Sequence, residues 1–111
     1  MTAPDAAIAD VYQRLAQRAW HANRARVGEL TAVLAEWRRR GELSAGGLDH
    51  GRAVAHSLRG SAAIFGHGEA AEAAGSLEEL LVGQAPPRLD VAADLVERIN
   101  RALQEPPTPA A

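Results

Sequence analysis

The chain has 111 residues, 47% hydrophobic and 23% charged, with a formal net charge of -2. That is enough for one compact domain with a modest core, and too ordered a composition for an intrinsically disordered chain. The absence of cysteine excludes disulfides, thiolate metal sites and a cysteine nucleophile. The slight negative charge excludes a chain-wide positive field for nucleic acid, so no nucleic-acid partner is expected.

Prolines stand only at positions 4, 86, 87, 106, 107 and 109, which leaves a long interior whose apolar residues recur at helical spacing. Ile8, Val11, Leu15 and Ala19 form a first stripe, with Asp5 available as its N-cap. Val27, Leu30, Leu34 and Trp37 continue the period to Arg38, Arg39 and Arg40, cations that suit a helix C-terminus before Gly41. No proline or glycine separates the two segments around His21 to Asn23, so one bent helix and two separate helices both fit. The connection is expected at Gly41 to Gly47, followed by a helix with Leu48, Gly51, Val54, Ala55, Leu58, Ala62 and Phe65 on one side, stopped by Gly66 and Gly68. Ala70, Ala74, Leu77 and Leu81 line the next helix, ended by Gly83, Pro86 and Pro87. Asp90 is the expected cap of a last helix carrying Ala92, Leu95, Ile99 and Leu103. The pattern predicts an all-α fold, an antiparallel four-helix bundle with an additional N-terminal helix. The core is placed at about 5–104, and 105–111 is expected to be a flexible tail. No run of about 18 apolar residues occurs, and Met1 to Asp10 resembles no targeting segment. A cytoplasmic, monomeric protein with no membrane association is the expectation.

The residue with most chemical interest is His56, which falls on the side of its helix away from the apolar stripe. Arg52, Arg59, Gly60 and Ala63 share that side. A histidine on a solvent face means nothing by default. Gly60, one turn on, removes a side chain that would crowd the ring, although a mid-helix glycine costs about 1 kcal/mol relative to alanine. Two explanations stand: close approach of another molecule to His56, or tight packing of this helix against a neighbour. Ala53, Ala63 and Ile64 surround the face with small or apolar groups that suit docking. Arg52 and Arg59 place fixed positive charge near the imidazole, which favours an anion such as a phosphoryl group attached to it. A neutral ring nitrogen is able to attack phosphorus.

The segment Ala55–His56–Ser57–Leu58–Arg59–Gly60–Ser61–Ala62–Ala63–Ile64–Phe65–Gly66 resembles the signature of the histidine phosphotransfer (HPt) domain: His, any residue, Leu or Ile, Lys, Gly, then small residues to a glycine ten places after the histidine. Arg59 stands where the family usually has lysine. Because all 12 basic residues of this chain are arginine, the change reads as compositional. Leu77, Glu78, Glu79, Leu80 and Leu81 resemble the family's following helix, most closely in chemotaxis-type kinases. There a glutamate matching Glu78 hydrogen-bonds the imidazole nitrogen that does not take the phosphate; from its own surroundings in the sequence, Glu78 is equally an ordinary exposed helical glutamate.

The strong likeness covers residues 48 to 82. It implies a single domain over 1–111 that relays phosphoryl groups between His56 and the aspartate of a response-regulator receiver domain in a bacterial-type two-component phosphorelay. The roles implied are His56 as phospho-acceptor, Arg59 as phosphate partner, Gly60 as clearance, Glu78 as imidazole orienter, and Arg52, Ala53, Ala63 and Ile64 as docking surface. The carrier is then no enzyme with its own turnover and holds no cofactor or metal. Its receiver partner supplies Mg²⁺, and a histidine kinase is the other expected partner. The alternative is a helical docking or adaptor module that binds a receiver or kinase without being phosphorylated. His50, His67 and Asp49 lack the spacing of a metal site, and Trp20 and Trp37 read as packing residues.

Overall fold

The computed structural model describes residues 3–107, with side chains from residue 6 onward. Four helices account for the fold: α1 (Ala3–Arg40), α2 (Ala45–Ile64), α3 (Gly68–Val82) and α4 (Leu89–Ala102). They close into a ring, α1 beside α2 and α4, and α3 beside α2 and α4, with α2 on α3 the most extensive pairing and α1 on α4 the least. The protein is an all-α bundle. No helix among the described residues is long and apolar enough to cross a membrane.

The bend around His21 to Asn23 is absent: α1 is continuous for 38 residues, about 57 Å at 1.5 Å per residue, and this alone accounts for the molecule's longest dimension of 58 Å. The additional N-terminal helix is therefore the first part of α1. Its expected stripe is not a core face either, since Ile8, Val11 and Leu15 are exposed and the buried face of α1 begins at Ala16 and continues through Val27, Leu30, Leu34 and Trp37. At 100° per residue the two stripes lie about a quarter of a turn apart round the helix. Tyr12 marks where the bundle begins. Its hydroxyl donates to the Ile64 carbonyl at 3.3 Å and its ring stands 5.6 Å from that of Phe65, so the residues before it extend past the α2–α3 corner.

Among the described side chains of α1, Asn23 is the one buried polar residue, 1% exposed. It donates to Ser61 Oγ at 3.2 Å and accepts from Arg26 at 2.8 Å. The hydrogen bonds offset the cost of burying an amide at the point where the apolar pattern is interrupted. Trp20 donates its indole N–H to the Leu103 carbonyl at 2.8 Å, which satisfies a carbonyl at the end of α4.

The other helix ends follow their sequence. Gly41 at φ 78° and Gly66 at φ 85° turn the chain in the left-handed region after α1 and α2, a conformation that L side chains resist. Ser44 caps α2 by accepting from Gly47 N–H at 3.0 Å. The cap of α4 is Arg88 rather than Asp90, which lies in the first turn, accepting from Arg88 at 2.6 Å and from Val91 N–H at 3.0 Å. The backbone is helical from Ala3, so Asp5 stands inside α1, and its side chain lies outside the described residues. Beyond α4 the Glu105 carbonyl accepts from His67 at 3.2 Å and Pro107 is buried, while 108–111 lie outside the described residues.

The buried residues are Gly51, Val54, Ala55, Leu58 and Ala62 in α2, and Ala70, Ala73, Ala74, Gly75, Leu77 and Leu81 in α3. Gly51 brings the two backbones close, since a Cβ there would stand 3.2 Å from Leu81 Cδ1. Leu58, Leu77 and Ile99 are fully buried, and each contributes about 1.5–3 kcal/mol through the hydrophobic effect. This seam fixes the relative rotation of α2 and α3, and with it the residues just outside the seam.

Candidate functional site

His56 and Arg59 lie on the outer flank of α2, and Glu78 on the matching flank of α3. With Leu58 and Leu77 locked in the core between them, His56 Nδ1 stands 2.7 Å from Glu78 Oε2, and Arg59 donates to Glu78 Oε1 at 3.2 Å. One carboxylate thus holds both side chains, each oxygen taking one partner. The Glu78 side chain is 19% exposed against 74% for His56, so the anchor sits low and the imidazole stands above it.

The second turn of α3 gives Arg59 its path. A Cβ on the buried Gly75 would lie 3.4 Å from Arg59 Cδ and Nε, so the arginine stem lies across the glycine on its way to Glu78. Desolvation works against ionising the Glu78 carboxyl, but the hydrogen bonds from Arg59 and His56, and then their charges, outweigh it and hold its pKa below the ordinary glutamate value. An ionised Glu78 accepts a hydrogen bond from Nδ1–H. The tautomer that satisfies it carries hydrogen on Nδ1 and an unshared pair on Nε2, which has no partner among the described residues.

Of the sequence-derived candidates, His56, Arg59 and Glu78 come together and Arg52 does not join them. Arg52 lies 3.9 Å from Asp49 on the surface, so the charged group closest to the ring is the Glu78 carboxylate and not a pair of guanidinium groups. Gly60 is exposed, and a Cβ there would meet nothing within 4 Å. Packing against a neighbouring helix therefore does not explain that glycine. Ala53 and Ala63 are exposed on the same flank, and Ile64 is 66% exposed at its end.

Two contributors escaped the sequence reading. Val82, 55% exposed, closes a depression of about 350 Å³ shared with His56, Arg59 and Glu78. Gly75 is the other, and its signal was available: a glycine in mid-helix three residues before the glutamate. His67 points away to Glu105 and His50 to Glu29, 3.4 Å off. Among the described residues no group of three or more His, Asp or Glu is placed to hold a metal ion.

This flank thus presents one imidazole whose inner nitrogen is engaged and whose outer nitrogen faces solvent, an arrangement suited to nucleophilic attack on an electrophile carried by another molecule. In comparison with known proteins, a family model described as Hpt domain matches residues 10–105. No curated protein and no solved structure matches the chain.

Proposed function

The chain belongs to the Hpt domain family, which implies histidine phosphotransfer in two-component signalling, and on that premise we propose that it is a phosphocarrier exchanging a phosphoryl group between His56 and the aspartate of a response-regulator receiver domain. The observation that carries this reading is the Nδ1–Glu78 contact at 2.7 Å on a ring left 74% exposed. In the forward step the Nε2 lone pair forms an N–P bond while the P–O bond to the aspartyl carboxylate breaks, and its electrons return to that carboxylate. The ring gains a positive charge, which then lies against the Glu78 carboxylate. Reversal of the same step returns the group.

Arg59 supplies fixed positive charge, and its N–H groups not engaged with Glu78 are available to the phosphoryl oxygens. Gly60 keeps the next turn bare, so that the receiver's backbone approaches His56 without obstruction. Arg52, Ala53, Ala63 and Ile64, joined by Val82, form the docking surface. Mg²⁺ and the acidic pocket belong to the receiver, so the carrier has no cofactor, no ATP site and no turnover of its own. A histidine kinase is the second partner, and a cytoplasmic monomer is the working state. Within the family, the Glu78 contact supports the likeness to the chemotaxis-kinase type.

The test mixes the purified protein with phosphorylated receiver domains and their kinases and reads acid-labile, base-stable phosphate by intact mass. Phosphate is expected on the wild type and absent from His56→Gln. Binding to a receiver without any labelling would overturn the carrier reading in favour of a docking module.

A further inference from the structure

The bundle carries a second concavity on the face away from His56. Because α1 and α3 are not neighbours in the ring, the α1–α4 seam lies across the bundle from the α2–α3 seam that holds His56 and Glu78. Along this loosest seam opens a groove of about 900 Å³. Its floor is apolar, made by the core residues Val27, Leu34 and Val96. Its edges are charged: Arg24 and Arg38 from α1 and Glu97 from α4.

The charges do not cancel. Arg39 and Arg40 next to the groove are both paired with Glu36, yet neither Arg24 nor Arg38 has a carboxylate within salt-bridge distance among the described residues, and Arg24 lies instead over the Trp20 ring at 5.2 Å. The two cations are separated by about 21 Å along α1, roughly four helical turns. Gly28 stands between them, exposed, and a Cβ there would meet nothing within 4 Å. A glycine in mid-helix weakens α1 relative to alanine, and no packing within the chain accounts for it.

We propose that the α1–α4 groove docks an acidic amphipathic helix of a partner protein, at a site separate from the phosphotransfer face. An apolar stripe of such a helix covers Val27, Leu34 and Val96, and carboxylates near its two ends meet Arg24 and Arg38. A second copy of this chain fits worse, because each groove would bring two unpaired guanidinium groups and only Glu97 to the contact. Occupation of this face leaves His56 accessible. A partner is thus able to keep hold of the carrier while the group is exchanged on the other side, which raises the effective concentration for transfer.

The test titrates the ¹⁵N-labelled full chain with a synthetic amphipathic helix of about four turns, bearing Leu and Ala on one stripe and Glu on its flanks, beside the same peptide with Lys in place of Glu. Amide shifts are expected at Ala25, Gly28, Thr31 and Ala93, with affinity falling about tenfold or more as salt rises to roughly 0.5 M. The Arg24→Glu, Arg38→Glu double variant should lose binding of the acidic peptide while keeping the wild-type spectrum elsewhere. With peptide bound, labelling of wild-type His56 by phosphoramidate should proceed at the free protein's rate. Equal binding of the Lys peptide, shifts centred on α2 and α3, or no shift with the acidic peptide would each overturn the proposal. A His56 that phosphoramidate never labels would count against the carrier reading alone, because the amide shifts report the groove independently.

Discussion

Replacing Gly60 with alanine separates the two explanations of that glycine by giving them opposite signs. A Cβ at Gly60 would meet no atom of the chain within 4 Å, and the residue lies inside α2 four residues before its end. Nothing in the fold opposes the substitution, so helix propensity alone sets its effect, a gain of about 0.8–1 kcal/mol. For a domain of this size that corresponds to a rise in Tm of roughly 4–8 °C. Transfer should move the other way. The new methyl stands one turn from His56 on the face a receiver must approach, and a misplacement of about 1 Å at the reacting centre is enough to cost about 100-fold. Thermal unfolding by circular dichroism, paired with single-turnover transfer from a phosphorylated receiver, reads both effects on one sample. Expected is a more stable protein whose transfer rate constant falls at least about tenfold. A stabilised variant that transfers at the wild-type rate would refute the clearance role, and a destabilised one would refute the open-space geometry on which the reasoning rests.

Other perturbations test the parts that surround this site. The Glu78 carboxyl should titrate below its ordinary value of 4.5 by ¹³C NMR, and should move upward in Arg59→Ala, which removes a hydrogen bond and a positive charge that favour its ionised form. Since the folded pKa is the depressed one, the stability this ionisation confers is present above the unfolded value and is lost as pH falls through the folded one; urea midpoints of wild type and Glu78→Gln should therefore converge below pH 4.5. The triple change of Ile8, Val11 and Leu15 to glutamine should leave the urea midpoint within about 0.5 kcal/mol of wild type, because all three are exposed; a loss of several kcal/mol would show that the start of α1 is packed. Asn23→Ala should destabilise by about 1–3 kcal/mol in the same assay, since it leaves Ser61 and Arg26 without their partner at a buried point, and an unchanged midpoint would remove the argument that this amide tethers α1 to α2.

The helices that could be read from the sequence are those whose apolar period is unbroken and whose ends carry glycine or proline. α2 is the clearest: of the stripe its period predicts, Gly51, Val54, Ala55, Leu58 and Ala62 are buried, and Leu48 and Phe65 at its two ends are half-buried. The start of α1 misleads for a physical reason. Ile8, Val11 and Leu15 have helical spacing, but periodicity reports a face and not whether anything covers it, and α2 and α4 end near Tyr12 and Trp20. The continuity of α1 hid behind Asn23, a polar residue on the core face whose partners Ser61 and Arg26 are a tertiary fact for one and a rotamer for the other. α4 was found with its cap two residues late, because Asp90 has the chemistry of a cap yet serves Arg88 and Val91 from inside the first turn.

The site divides along the same line. His56, Arg59 and Gly60 sit within one helical turn, so spacing on a single helix suffices to group them. Glu78 stands 22 residues further along, and only the α2–α3 seam brings it to the ring. That seam also gives Arg59 a geometry that a lysine would lack. A lysine offers one compact charge, whereas the guanidinium of Arg59 places one arm on Glu78 and keeps its other donors for a second acceptor. Such a reach needs a long stem laid flat across α3, and the absence of a side chain at Gly75 is what lets it lie there. Arginine at 59, glycine at 75 and glutamate at 78 are therefore one solution distributed over two helices. A bulky residue at 75 would lift Arg59 from Glu78, and the carboxylate would be left with the imidazole alone.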